Sequence, residues 1–178
     1  MDYTTVTIET ERLKLVPLSK DFLEDVFREF TSEITTYMYP KPCESLEELE
    51  QRTEETIEEM KRGEDYSFHV VNKQTGEFLG RGGLHKPDTR TPECGIWLKK
   101  SAHGRGYGRE AMTALKKWAD ENIAYEYITY PVDKRNVASR KIPESLGGKV
   151  MKEYKQVSMS GNELDEVEYH IYPNKPIN

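Results

Sequence analysis

Residues Lys99–Met112 read KKSAHGRGYGREAM and place glycine at positions 104, 106 and 108. Before the run stands ECGIWLKK, which reads as a short strand. After it Ala111, Met112, Leu115, Trp118, Ala119 and Ile123 recur at helical spacing, predicting a helix from about Gly106 to Ala124. The most flexible residues therefore stand where a helix must start. A helix start presents N–H groups without intrahelical partners and a partial positive charge. Glycine lets the main chain approach a ligand closely and adopt positive φ. The combination is an anion cradle, best suited to phosphate, with Arg105 and Arg109 adding charge. It is not a P-loop, because no Lys-Ser or Lys-Thr follows, and it is not GxGxxG. Counted from Gly104 the last position is Arg109, and from Gly106 it is Ala111.

The rest of the chain places this unit in a larger pattern. TVTIETERLKLVPL alternates and predicts a strand ending at Pro17. Ser19 reads as a cap for a helix carrying Phe22, Val26, Phe27 and Phe30 to about Ser32. Pro40 and Pro42 break the chain. Ser45 and Glu48 then form a capping box for a second helix, which stops at Gly63. YSFHVVN and FLGRGGLHK flank KQTG as a hairpin. YEYITYPVD reads as a strand, VASRKIPESLG as a short helix, and KVMKEYKQVSM with EVEYHIY as a closing strand pair. The order is β-α-α-β-β-β-α-β-α-β-β. A meander inside an α/β alternation calls for one domain, spanning 1–178, with a mixed sheet.

Charge narrows the partners. The net charge of −6 argues against nucleic acid, since phosphate contacts need a basic surface. No apolar run is long enough for a membrane span, and the N-terminus lacks signal-peptide order, so a cytoplasmic protein is expected. Cys43 and Cys94 make no framework, and the four histidines have no ligand spacing, so no metal site is expected. Residues 44–65 are strongly acidic: a solvated helix face, or a field that draws a cationic substrate.

The glycine run and its flanks resemble the GCN5-related N-acetyltransferases, in the branch of the RimJ/RimL ribosomal-protein N-terminal acetyltransferases. The family signature Gln/Arg-x-x-Gly-x-Gly/Ala falls on His103, Gly106 and Gly108, with His103 replacing the usual Gln or Arg. IETERLKLVPL, ECGIWLKKSAHGRGYGREAM and NVASRKIPESLGG are each similar to segments of that branch. Gly148 stands for the customary Phe, and Pro143 falls where many relatives carry a Tyr acid. The resemblance implies a mostly antiparallel sheet of six to seven strands with helices on both faces. It implies an acetyl-CoA-dependent N-acetyltransferase acting on a primary amine by direct transfer.

The resemblance also assigns roles. The amides of Arg105, Gly106, Tyr107, Gly108 and Arg109 would hold the diphosphate, with His103 and Gly104 of the signature also at the cofactor, and Trp97 and Leu98 would offer backbone groups to the pantetheine arm. Asn136 would bond its amides. Glu93, on one strand face with Gly95 and Trp97, is the expected base, and Ser139 the expected proton donor to the thiolate. Tyr37, Met38 and Tyr39 would flank the acceptor groove with the acidic helix. The acceptor is expected to be a peptide N-terminus or a small cationic amine such as a polyamine or aminoglycoside. A homodimer stays open. The competing readings are a non-catalytic acyl-CoA sensor on the same fold and a phosphate-binding module unrelated to CoA.

Overall fold

The computed structural model describes residues 1–174. Its first strand is two: β1 (Ile8–Glu9) and β2 (Leu13–Pro17) pair antiparallel across a tight turn. The polar stretch between them bends the chain back instead of extending it. Ser19 caps a 3-10 turn at Lys20–Phe22, so the first α-helix, α1, covers only Leu23–Glu29. The second, α2 (Leu46–Arg62), opens at Ser45, whose hydroxyl accepts from the Glu48 amide at 3.1 Å. The Glu48 carboxylate reaches past the cap to the Glu44 amide, displacing the expected capping box by one residue. Gly63 ends α2 with a φ of 80°.

Strands β3 (Asp65–Asn72), β4 (Phe78–His85) and β5 (Glu93–Leu98) form the meander. Then come α3 (Tyr107–Asn122), β6 (Ile128–Asp133), α4 (Val137–Ser145), β7 (Lys149–Val157) and β8 (Glu163–Ile171). One eight-stranded sheet runs β1-β2-β3-β4-β5-β6-β8-β7, one strand more than the upper expectation because the first strand splits. Every neighbouring pair is antiparallel except β5–β6.

Alternation sends Tyr66, Phe68 and Val70 to one face, under α3 with Leu13, Leu15, Met112, Leu115 and Tyr130. Complete burial of a side chain such as Phe68 contributes about 2 kcal/mol. The packing is close: a Cβ at Gly82 would meet the Phe68 ring at 2.7 Å. On the other face Val26 of α1, Leu49 of α2 and Phe78 of β4 form a smaller cluster with Phe22, Phe30 and Trp97. Helices thus cover both faces, but α1 and α2 cover only the first half of theirs. Pro143 lies buried inside α4, which starts at Val137, ahead of Ser139.

Candidate active site

The sheet has one break. In the parallel pair β5–β6 only Glu93 and Thr129 stand in register. Past that point the strands part, and β5 keeps its ladder to β4 alone. The Lys99 amide donates to the Leu79 carbonyl at 2.8 Å, so odd-numbered residues of β5 turn their peptide groups to β4. Those of Cys94, Ile96 and Leu98 therefore face the gap. Trp97 does not supply the open edge: its peptide groups belong to β4, and Ile96 takes the expected place beside Leu98. The Trp97 indole packs on Phe30, with ring centroids 4.6 Å apart. His103 donates its Nε2–H to the Leu98 carbonyl at 2.8 Å, which sets its tautomer.

The edge leads into the glycine run. Gly104 and Gly106 have φ of 74° and 76°, left-handed values natural to glycine. Gly106 is the N-cap of α3 and has no side-chain cap bond. Among the described residues no N–H from Gly104 to Arg109 has a hydrogen-bond partner. Unpaired amides of this kind concentrate partial positive charge on one spot. The opposite side of the loop is braced. Arg12 donates to the Arg105 carbonyl at 3.0 Å and to the Glu110 carboxylate at 2.7 Å, and its guanidinium lies 4.5 Å over the Tyr107 ring. Burial would raise Glu110, but bonds from the Thr10 hydroxyl, the Arg12 amide and the Arg12 guanidinium hold it below the usual range.

At the closed end of the gap, Glu93 has no hydrogen-bond or ion-pair partner among the described residues. Glu93 is exposed at its strand end, yet the protein packed around its carboxyl raises it and Glu168 adds to the shift, while His85 and Lys86 oppose it. A Cβ at Gly95 would meet nothing within 4 Å, so the floor beyond Glu93 is open. Register and alternation put Glu93, Thr129, Pro131, Glu166 and Glu168 on this one face. Glu168 is held by His170 at 2.7 Å and Lys152 at 3.4 Å. Glu166 is 4% exposed, and its Oε2 has no partner. Over this half of the sheet runs the α1–α2 connection. The Tyr39 carbonyl accepts from the Met159 amide at 2.9 Å, and Tyr37 lies 4.9 Å under the Arg135 guanidinium.

On the other side of the gap stands α4. Asn136 is its N-cap, its Oδ1 accepting from the Ser139 amide at 3.3 Å. The Asn136 NH2 has no partner among the described residues. The Ser139 hydroxyl shares a 2.7 Å hydrogen bond with the Tyr130 hydroxyl. Burial raises the Tyr130 phenol, so it stays protonated. Among the described residues no group of three or more His, Cys, Asp or Glu side chains is placed to hold a metal ion, and no helix is long and apolar enough to cross a membrane.

A family model described as an acetyltransferase (GNAT) domain matches residues 12–149. The chain belongs to the GNAT acetyltransferases. It is 26% identical over 144 residues to the uncharacterized N-acetyltransferase p20 of Bacillus licheniformis, across 79% of this chain and 80% of that one. Among solved structures it resembles RimL, a ribosomal alpha-N-protein acetyltransferase, in complex with coenzyme A. That likeness has a TM-score of 0.84 at 16% identity, over 94% of this chain and 98% of that one. It also resembles spermidine N-acetyltransferase from Vibrio cholerae in complex with CoA and spermine. There the TM-score is 0.80 at 19% identity, over 93% and 98% of the two chains. At these identities the two structures speak for the GNAT fold.

Several residues of this GNAT site escaped the sequence reading. Arg12 and Glu110 are far apart in the chain and meet only when β2 packs beside α3. Tyr130 reads as a core aromatic. Glu166, Glu168 and His170 alternate as a polar strand face, a legible signal, but only the register with β6 brings them beside Glu93. On the acidic helix α2, Glu54 and Glu58 pair with Lys20 and Lys61 at the surface, in keeping with a solvated helix face.

Proposed function

We propose that this GNAT domain moves the acetyl group of acetyl-CoA directly to a primary amine. The observation that carries the reading is the run of unpaired amides from Gly104 to Arg109, opening onto the unpaired edge of β5. Its lack of side chains at Gly104 and Gly106 fits a diphosphate, and the Ile96 peptide groups with the Leu98 N–H fit an arm laid along the edge as an added strand, the Leu98 carbonyl being held by His103. The Asn136 NH2 is a further donor for that arm.

The chemistry is a nitrogen lone pair forming a bond to the thioester carbon as the carbon–sulfur bond breaks. Glu93 takes the proton from the incoming amine, directly or through one water. A free N–H on the open edge of β5 stabilises the negative charge on the carbonyl oxygen. Ser139 gives its hydroxyl proton to the departing sulfur, its oxygen held by the hydrogen bond with the protonated Tyr130 hydroxyl, and takes a replacement from solvent. The proton held by Glu93 leaves to solvent.

The test is release of CoA from acetyl-CoA with a panel of primary amines. Turnover in the native protein that falls about tenfold or more in Ser139→Ala supports the assignment. Tight acetyl-CoA binding with no turnover on any amine overturns it and leaves an acyl-CoA sensor.

A further inference from the structure

The open floor beside Glu93 is built from two strands in register. On β4 stand Arg81, Gly83 and His85, and opposite them on β5 stand Trp97, Gly95 and Glu93. The glycines occupy the middle: the space above Gly95 is clear, while the His85 ring and the Ser67 hydroxyl lie over Gly83. At the far end from Glu93 is Arg81, half-buried, with no hydrogen bond or ion pair to any described residue. The neighbouring carboxylate, Asp65, does not serve it. Ser67 donates to one of its oxygens at 2.6 Å, and His85 holds the other at 2.6 Å. His69, across from Arg81 on β3, is buried and neutral at ordinary pH. Cys43, on the α1–α2 connection, is also close by and protonated, since burial raises its thiol. Burial weakens the hold of Arg81 on its proton, and the nearby charge of Asp65, already bonded to Ser67 and His85, offsets this only in part.

A partly desolvated cation with no partner is costly unless a ligand completes it. The planar guanidinium matches a carboxylate through paired hydrogen bonds. Glu93, Glu168 and the unpaired oxygen of Glu166 lie toward the other end, where the acceptor nitrogen must sit. One face of the sheet therefore carries both signs, on either side of the clear space above Gly95. We infer that the acceptor is an amino acid or another amine bearing a carboxylate a few bonds from the reacting nitrogen, with that carboxylate held by Arg81. The inference rests on the acetyl-transfer reading above and goes beyond the cationic amines that charge alone suggested.

The test compares glycine, β-alanine, γ-aminobutyrate and δ-aminovalerate with the carboxamide of each, in the native protein, by CoA release. At least one acid should exceed its own amide tenfold or more in kcat/KM, with the difference in KM. Arg81→Met should bring that ratio close to one, and Arg81→Lys should keep part of it. Equal use of every acid and its amide by the native protein overturns the inference, as does a ratio that survives in Arg81→Met. Failure to acetylate any amine, phenethylamine included, overturns the acetyl-transfer reading instead. In that case saturation-transfer NMR on the CoA complex decides the Arg81 site: binding of an acid over its amide sustains it, and no preference removes it.

Discussion

Glu93 shows how burial and a neighbour set a proton's fate. Its carboxyl is raised because the site is partly desolvated and Glu168 is near. In its proposed role as the base it works only when ionised. The acid limb of kcat/KM should therefore lie above the ordinary carboxylate range, with activity rising as pH increases through it. Glu93→Gln should lower kcat about a hundredfold or more and abolish that limb. Acetyl-CoA binding, measured by calorimetry, should stay within about twofold, because the cradle lies at the other end of β5. A variant that retains the limb would move the base elsewhere.

At the scale of single elements, the start of α3 does two jobs through backbone conformation. Gly106 must hold φ at 76° to end the loop and cap the helix. A side chain there costs about 1–2 kcal/mol in the left-handed region. Gly106→Ala should weaken acetyl-CoA binding roughly tenfold and lower Tm slightly. This requirement was legible from glycine spacing, since nothing else explains such residues at a helix start. Arg81 was not legible: a lone arginine in FLGRGGLHK has no periodicity, and only its lack of a partner marks it. Strand β3 supplies a second case. His69 lies between Phe22 and Phe78, with ring centroids 5.0 and 5.8 Å away, and burial pushes it down to about 4. The unfolded chain takes up this proton near pH ~6.5, whereas the native protein resists until about 4, so stability falls as pH drops across that window. The full effect is roughly 3 kcal/mol. Denaturant melts at about pH 7 and about pH 4.5 should show it, and His69→Gln should flatten the slope.

Across the whole molecule the sheet is two pieces joined by a single backbone position, Glu93 beside Thr129, with α3 and α4 packed behind. The meander β3-β4-β5 and the closing pair β7–β8 were readable, because hairpins pair neighbours in sequence. The joint itself was not, since a parallel pair that parts after one position leaves no mark on hydrophobic periodicity. Acetyl-CoA at about a hundredfold over its Kd should stabilise the fold by about 2.7 kcal/mol. Amide exchange should slow at Ile96, Leu98 and the Gly104–Arg109 run, with β3 and β4 little changed. ATP, which carries phosphates but no pantetheine, should not protect Ile96 or Leu98. On the proposed reading, the polypeptide leaves part of its own ladder to be filled by its co-substrate. If so, how firmly its two halves hold together would follow the supply of activated acetate around it, the fold loosening where that supply runs low.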